Sequence, residues 1–246
     1  MKREGRLPIG ELALRLADEF VDELEPVRIA WLAMNRRFPR KSDKVHVLLR
    51  REGLAINDWI DQVRTDGNAE VRMYLNAGQL LAKKAGKLDS SNLRVYKLID
   101  AYVLQLAASA RARPLTGYII ARDCIVRCTP VAQEQAQDDL DALLELWRAG
   151  MDAPLPTACK TALALLGGTA DQARTAYDGA EFEFDGMTAE RDEPCLQRMW
   201  REYDELAAAP GYEAVSNQLY GPLLAWVGQS VQVLPLNHVF LEAEHS

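Results

Sequence analysis

The sequence predicts an α/β protein in which a mixed β-sheet is flanked by helices and followed by a mostly helical C-terminal extension. Three observations support this fold class. Alternating apolar and polar residues between positions 44 and 75 are typical of β-strands. A strongly apolar helical segment follows at 93–111, and strand patterns become rare after residue 151. We therefore expect an α/β core over residues 1–150 and a helical extension over residues 151–246 that packs on it.

The first predicted element is a long amphipathic helix over residues 11–38. Apolar residues recur at every fourth position, with acidic residues between them, as in a helix with one face on the core. The apolar positions are Leu12, Leu16, Phe20 and Leu24, and the acidic ones are Asp18, Glu19, Asp22 and Glu23. Pro26 is expected to kink this helix or to divide it in two, because proline cannot donate a backbone hydrogen bond.

Three strands are predicted after this helix, over Lys44–Arg50, Leu54–Val63 and Glu70–Leu75. The turn-forming residues Thr65–Asn68 separate the second strand from the third. We expect the three strands to form an antiparallel meander.

The rest of the core is predicted to alternate between helix and strand. A capping stretch precedes an apolar, buried helix over 93–111. Residues 115–128 are predicted as strand, either continuous or divided near Arg122. An amphipathic helix over 131–149 is predicted to end at Gly150, a residue typical of helix C-termini.

The extension is predicted to contain four short helices and a closing strand. Pro154 and Pro156 favour an extended link before the first helix. The helices are predicted over 158–166, 169–177, 195–208 and 212–227, and the strand over 230–236.

Composition places the chain among ordinary globular proteins. Of its 246 residues, 48% are hydrophobic and 26% are charged. No stretch approaches the roughly eighteen apolar residues that a membrane helix needs. The positively charged start at Met1–Arg6 is not followed by the apolar stretch of a signal peptide. We therefore expect a cytoplasmic location.

One segment is strongly basic, although the whole chain carries a net charge of −7. Residues 36–51, called the basic segment below, hold seven Lys or Arg and one Asp. Phosphate contacts supply much of the affinity of DNA-binding proteins, so a local basic patch can bind DNA even on an acidic protein. An ordinary solvated loop is the alternative. The candidate DNA-binding residues are Arg36, Arg37, Arg40, Lys41, Lys44, Arg50 and Arg51.

Familiar motifs for cofactors, metals and nucleophiles are missing from the sequence. It has no phosphate-binding P-loop, dinucleotide-binding glycine motif, zinc-protease helix motif or nucleophile elbow, and we expect no cofactor. Cys124 and Cys128 share one face of a predicted strand, without a histidine nearby. Buried, reduced thiols are therefore favoured over a zinc site.

The predicted order of helices and strands resembles that of the PD-(D/E)XK nucleases. That fold holds Mg²⁺ between two carboxylates on neighbouring strands, with a lysine close to the second one. Asp58 or Asp61 could supply the first carboxylate. The second position falls in Tyr74–Gly78, where Asn76 stands and neither an acid nor a lysine is present. We expect an inactive site near Asp58, Asp61 and Asn76. An active Mg²⁺-dependent nuclease that uses another lysine is the alternative.

Several short patterns, taken in their order and spacing, carry a family resemblance. They are Glu4–Glu11, Ala55–Val63, Glu134–Pro156, Lys160–Leu166, Cys195–Trp200 and Leu219–Leu224. The set is similar to the C-terminal domain of RecC, the gamma subunit of exodeoxyribonuclease V, which is the RecBCD helicase–nuclease. The matches extend over nearly the whole chain. RecC subunits also carry helicase-like domains that are not represented in this sequence.

The resemblance implies a PD-(D/E)XK-like fold that has lost its catalytic residues, and a role in double-strand-break repair by homologous recombination. In the family, this domain contacts the RecB and RecD subunits and the split DNA strands. We therefore expect a structural, DNA-guiding module without nuclease activity of its own. A protein-interaction module without DNA contact is the alternative. Trp59 and Tyr74 could stack on bases, although packing across strands is the favoured role for both.

Overall fold

The computed structural model describes residues 11–51, 53–82, 88–180 and 189–237. Three side chains named in the predictions, those of Leu12, Leu16 and Arg51, lie outside the described part. So does most of the Glu4–Glu11 pattern.

The described residues form eight α-helices and eight β-strands, which confirms the predicted α/β class. The helices are α1 (Glu11–Arg37), α2 (Ile99–Ala110), α3 (Gln133–Asp152), α4 (Cys159–Gly167), α5 (Ala170–Asp178), α6 (Pro194–Met199), α7 (Tyr203–Ala207) and α8 (Tyr212–Ser230). The strands are β1 (Arg40–Lys41), β2 (Val45–Arg51), β3 (Leu54–Ile60), β4 (Val63–Thr65), β5 (Glu70–Leu75), β6 (Thr116–Ile120), β7 (Ile125–Cys128) and β8 (Val231–Leu234). Within the described ranges, none of the helices combines the length and apolar character that a membrane crossing requires.

Six strands form one mixed sheet in the order β1-β4-β5-β6-β7-β8, and β2 and β3 pair as a separate hairpin. Strand β5 runs parallel to β6, whereas the other neighbours in the sheet are antiparallel. Parallel strands need a crossover connection, which α2 provides. Strand β8 pairs with β7, so the end of the chain completes a sheet that begins near its start.

The predicted three-stranded meander is wrong, because the predicted strand over Leu54–Val63 divides between two sheets. Its first part, β3, pairs with β2 in the hairpin. The chain then turns at Asp61 and Gln62, where Gln62 has a φ of 59°, and continues as β4 in the main sheet. This left-handed backbone conformation interrupts the extended strand at the polar pair Asp61–Gln62, where the alternation of apolar and polar residues also breaks.

Helices cover both faces of the main sheet. One face packs against α1, in a cluster that joins Ala30 and Met34 to Met73. The other packs against α2, α3 and α8 in a larger cluster. Members of the larger cluster include Leu106, Leu140, Val126 and Trp226. The helix predicted at 93–111 is therefore buried as expected, although its α-helical part begins only at Ile99.

Helix α1 extends beyond the core over Asp18–Leu24. Residues Asp18–Leu24 are all exposed, and burial begins at Val27. Phe20 is 47% exposed and Leu24 is 45% exposed, so the apolar stripe predicted from the four-residue spacing is not covered there. The helix runs through Pro26 without dividing.

Two predicted helices differ from those in the structure, and the backbone conformation of one residue explains each difference. The predicted helix over 195–208 divides into α6 and α7, because the backbone at Trp200 is extended (φ −139°, ψ 109°). Gly150 does not end α3. The helix continues until Ala153, whose extended backbone (φ −152°, ψ 148°) is the conformation favoured before Pro154.

The C-terminal extension has an apolar cluster of its own, in which Tyr177 and Leu206 are fully or almost fully buried. It also contributes Leu223 and Trp226 of α8 to the core shared with the main sheet. The division of the chain at residue 150 stays a prediction.

Candidate nucleic-acid interface

The basic segment crosses α1, the edge strand β1 and the hairpin strand β2. Its cations with described side chains are all exposed, among them Arg36 at the end of α1, Lys41 in β1 and Lys44 just before β2. No ion pair joins any of these three to another residue in the described ranges. Strand β1 lies at the edge of the sheet and pairs on one side with β4. The three cations can therefore meet an anion from solvent.

The other candidates are partly engaged within the protein. Arg40 donates through Nη2 to the carbonyl oxygen of Asp66 at 2.9 Å. The guanidinium carbon of Arg37 lies 5.5 Å from the centre of the Phe38 ring. Arg37 and Arg50 make further interactions within the chain. These residues therefore contribute to the local structure as well as to the charge of the segment.

A partly buried carboxylate fixes the chain beside the basic segment. Glu70, at the start of β5, accepts hydrogen bonds from Nε and Nη2 of Arg113 at 3.1 and 2.8 Å, and another from the hydroxyl of Ser42. Ser42 also donates its backbone N–H to the carbonyl of Val63 at 2.9 Å. The hydrogen bonds from Ser42 and Arg113 lower the pKa of the Glu70 carboxyl. Because Ser42 follows Lys41 directly, this contact ties the basic segment to the sheet.

Replacing Glu70 with glutamine should change how stability depends on pH. The folded-state pKa of Glu70 lies below its unfolded value, so the ionised group stabilises the protein above about pH 4.3 and this contribution is lost as pH falls through the lower, folded-state pKa. Wild type should therefore lose more stability than Glu70→Gln on acidification from about pH 5 to about pH 3. At neutral pH, the variant should be less stable by about 1 kcal/mol, since solvent screens the pair. Urea unfolding at several pH values across this range measures both effects. If the free energy of unfolding falls with pH equally in the two proteins, the expectation is wrong.

The β2–β3 hairpin presents an aromatic pair next to the basic segment. Trp59 stacks on His46 of the opposite strand, with ring centres 4.4 Å apart and planes at 26°. Atom Nε2 of His46 lies 2.7 Å from Oδ1 of Asn57. Trp59 thus packs across strands as predicted, and it is nevertheless 56% exposed. One face of its ring is occupied by His46, and much of its remaining surface faces solvent.

A cleft of about 730 Å³ lies beside β5, and sequence reasoning missed it. Arg72 and Tyr74 line it, because they alternate along β5 with the buried Val71 and Met73. A charged residue in the middle of a central strand is the signal that could have pointed there. The sequence does not say which helix covers that face of the strand.

The three residues of the predicted inactive site do not share this cleft. Asn76 lines it, and its Oδ1 accepts a hydrogen bond from the backbone N–H of Gly78 at 2.8 Å. Asp58 is exposed on the hairpin and accepts a hydrogen bond from the backbone N–H of Trp59 at 2.7 Å. Asp61 is exposed in the link between β3 and β4. Neither aspartate is among the residues that line the cleft.

These residues do not fit a Mg²⁺ site. A nuclease of this type needs two carboxylates converging on the metal, whereas the cleft is lined by a guanidinium, two tyrosines, an amide, a lysine and one carboxylate, that of Asp100. In the described part of the chain, no three His, Cys, Asp or Glu residues gather in an arrangement that could hold a metal ion. Loss of nuclease activity itself stays a prediction.

The buried thiols are poor candidates for chemistry. Cys124 and Cys128 are free and fully buried against the main core. Burial raises the pKa of each thiol to about 12, so both are protonated at neutral pH and neither is a good nucleophile or metal ligand. This agrees with the buried, reduced thiols favoured from the sequence.

Comparison with known families identifies a domain family that matches this chain. The family model of the RecC C-terminal domain matches residues 1–170, about two-thirds of the chain. No curated protein matches the chain. The matched region includes the basic segment, the hairpin and the cleft beside β5.

Proposed function

Because the chain belongs to the RecC C-terminal domain family, we propose that it is a non-catalytic structural and DNA-guiding module of a RecC subunit. In this role it works in the cytoplasm within a RecBCD helicase–nuclease, in double-strand-break repair by homologous recombination. It needs no cofactor of its own. Its partners are the RecB and RecD subunits and the separated strands of forked DNA. One observation above all supports the DNA contact, namely the exposed cations Arg36, Lys41 and Lys44, which lie close together in the chain without ion pairs in the described ranges.

The charge of the whole chain argues for a local contact rather than general attraction to DNA. With a net charge of −7, the protein as a whole repels a phosphate backbone. Affinity must then come from cations that approach phosphates closely and displace their counterions. The edge strand β1 and the adjoining chain present such cations, and the exposed ring of Trp59 lies on the neighbouring hairpin. This arrangement favours a backbone contact without sequence specificity.

Reversing the three exposed charges tests the DNA contact. The triple variant Arg36→Glu, Lys41→Glu and Lys44→Glu should bind forked DNA more weakly, and the slope of log K against log salt should fall by about 2 to 3. The control carries the same change of net charge on exposed arginines elsewhere, at Arg148, Arg198 and Arg201. Fluorescence anisotropy at several salt concentrations gives both quantities. Equal weakening by the two triple variants would mean that net charge alone matters, and would count against the proposed contact.

A second candidate function, protein interaction, is favoured by the uncovered half of α1. Phe20, Val21 and Leu24 are exposed there, with Asp22 and Glu23 between and beside them. Apolar residues grouped on one exposed face are typical of contacts between proteins. Glu23 is paired with Arg122 at 2.7 Å, whereas Asp22 and the exposed Asp18 and Glu19 suit a partner whose apolar surface has a basic rim and disfavour a second copy of the same helix. We assign this surface to a partner subunit, RecB or RecD, so the module has both DNA and protein contacts.

A further inference from the structure

The cleft beside β5 has the dimensions and chemistry of a small-ligand site. Its volume of about 730 Å³ lies within the range typical of such sites. Strand β5 supplies one wall, and α2 with the turn before it supplies the other. Its polar lining residues are Arg72, Tyr74, Asn76, Tyr96, Lys97 and Asp100, and its apolar floor includes Ile99 and Ile119. We call it the Arg72 cleft.

Arg72 lines this cleft, and no ion pair joins it to another residue in the described ranges. It lies opposite Gly117 in the register of β5 and β6 and opposite Val63 in that of β4 and β5, and the side chain of Gln105 lies close to Gly117. Its guanidinium carbon lies 5.6 Å from the centre of the Tyr74 ring. Its Nε is buried, without a hydrogen-bond partner in the described ranges. Burial lowers the pKa of Arg72, while the charges of Asp61 and Asp100 act in the opposite direction.

Three planar groups are among the residues that line the cleft. They are the rings of Tyr74 and Tyr96 and the guanidinium of Arg72, and Tyr74 is 38% exposed. Lys160 lies over the ring of Tyr96, with its Nζ 5.5 Å from the ring centre. Aromatic rings and arginine guanidinium groups are the surfaces on which unpaired nucleobases stack.

The charges of the cleft suit a nucleotide better than a free anion. Lys97 donates to the carbonyl of Gln79 at 2.8 Å and adds a second cation to that of Arg72. Asp100 also lines the cleft, and its charge acts on Arg72, as does that of Asp61 from outside the lining. Because a carboxylate shares the cleft with the two cations, a free phosphate gains less there than from the cations alone. A ligand that fits must also gain from stacking.

We propose that the Arg72 cleft binds one nucleotide of a single DNA strand, with its base against Tyr74 and Arg72 and its phosphate towards Lys97. The proposal rests on the proposed function, since it supposes that the module meets unpaired strands. It adds a second contact, separate from the basic segment, that holds a base instead of the backbone alone. A base can enter only when it is unpaired, so the cleft would distinguish single strands from duplex.

Binding of a short labelled oligothymidylate to the full chain tests the proposal. Tyr74→Leu, which removes the ring at an exposed position, should weaken binding at least about fivefold, the lower end of what one stacked base contributes. Arg72→Gln should weaken it to a similar extent. The matched control is Arg127→Gln. Arg127 is also a strand residue of the main sheet, and its buried Nε has no hydrogen-bond partner in the described part of the chain, but it does not line the cleft. This control should bind as wild type does, and all three variants should unfold with similar cooperativity.

An abasic oligonucleotide of the same length separates stacking from phosphate contact. We expect it to bind weakly and to be indifferent to Tyr74→Leu. If it binds as well as the oligothymidylate, or if Tyr74→Leu binds both as wild type does, the cleft holds no base and the proposal is overturned. It is also overturned if a glutamate-rich peptide occupies the cleft while the oligothymidylate does not, because the site then receives a protein segment.

The triple charge-reversal variant of the basic segment tests the DNA-backbone contact separately from the Arg72 cleft. If this variant binds forked DNA normally while Tyr74→Leu loses the oligothymidylate, the backbone contact fails and the cleft stands. If the charge reversal weakens forked DNA while the cleft variants bind the oligothymidylate like wild type, the cleft fails and the backbone contact stands.

Discussion

Replacing Glu190 with alanine is expected to lower the free energy of unfolding by about 2 to 4 kcal/mol. The carboxylate of Glu190 accepts hydrogen bonds from the backbone N–H groups of Lys160 and Thr161 at 2.7 and 2.8 Å, and from the Thr161 hydroxyl at 2.8 Å. Thr161 is completely buried. Without Glu190, the buried N–H and hydroxyl groups of Thr161 would lose their hydrogen-bond acceptor, and water could not replace it.

The position of this contact explains why the effect should be large. Helix α4 has Ala158 at its N-cap, which offers no side-chain acceptor for the first N–H groups of the helix. Glu190 supplies that acceptor from about thirty positions further along the chain, and its negative charge also favours a helix N-terminus. It thereby joins the turn before α6 to the helix that follows the core.

Urea unfolding with matched variants measures this contribution. Glu193→Ala removes an exposed glutamate close by and should change stability by less than about 0.5 kcal/mol. Glu190→Gln keeps one acceptor oxygen and should fall between the two. If Glu190→Ala and Glu193→Ala unfold at the same urea concentration, the capping role is wrong.

Charging the uncovered half of α1 is expected to abolish assembly while leaving the fold intact. The double variant Phe20→Glu and Leu24→Glu changes two side chains that are about half exposed, so stability should change by less than about 0.5 kcal/mol per site. Buried anchors of an interface contribute about 2 kcal/mol or more each. Binding to RecB or RecD should therefore weaken at least about thirtyfold.

A second exposed apolar pair provides the control for this experiment. Trp147 is 55% exposed and Met151 is 69% exposed, one turn apart on α3. The variant Trp147→Glu and Met151→Glu should bind the partner subunits normally in the same titration. If it loses binding and the α1 variant does not, the interface lies on α3 and the assignment to α1 is wrong.

The sequence located most elements, because local periodicity is set by burial of one face. It did not predict how strands pair, as the segment Leu54–Val63 illustrates. The polar pair Asp61–Gln62 interrupts the strand pattern, but it does not show that a single left-handed residue at Gln62 sends β3 and β4 into different sheets. Likewise, the four-residue spacing of α1 continues into Phe20 and Leu24, although the core that α1 covers begins at Val27. The spacing of apolar residues shows which face of a helix is apolar, but it does not show which residues pack against that face.

Part of the candidate site could likewise be predicted from the sequence, and part could not. The basic segment is contiguous in sequence, so charge counting finds it, although only the structure shows which of its exposed cations also make contacts within the protein. The Arg72 cleft depends on the parallel pairing of β5 with β6 and on the turn before α2, which bring Arg72 and Tyr96 to one space. No local sequence pattern predicts that Arg72 and Tyr96 lie in the same cleft. The same is true of the contact between Glu190 and α4.

Sedimentation of the purified chain with its cognate RecB and RecD subunits and a forked DNA tests the proposed role most directly. Mg²⁺ is left out, so that no nuclease of the assembly cuts the DNA. We expect the chain, the two subunits and the DNA to sediment together as one complex. A chain that sediments alone, beside a complex of the other components, would contradict the proposal that it is a structural, DNA-guiding module of a RecC subunit.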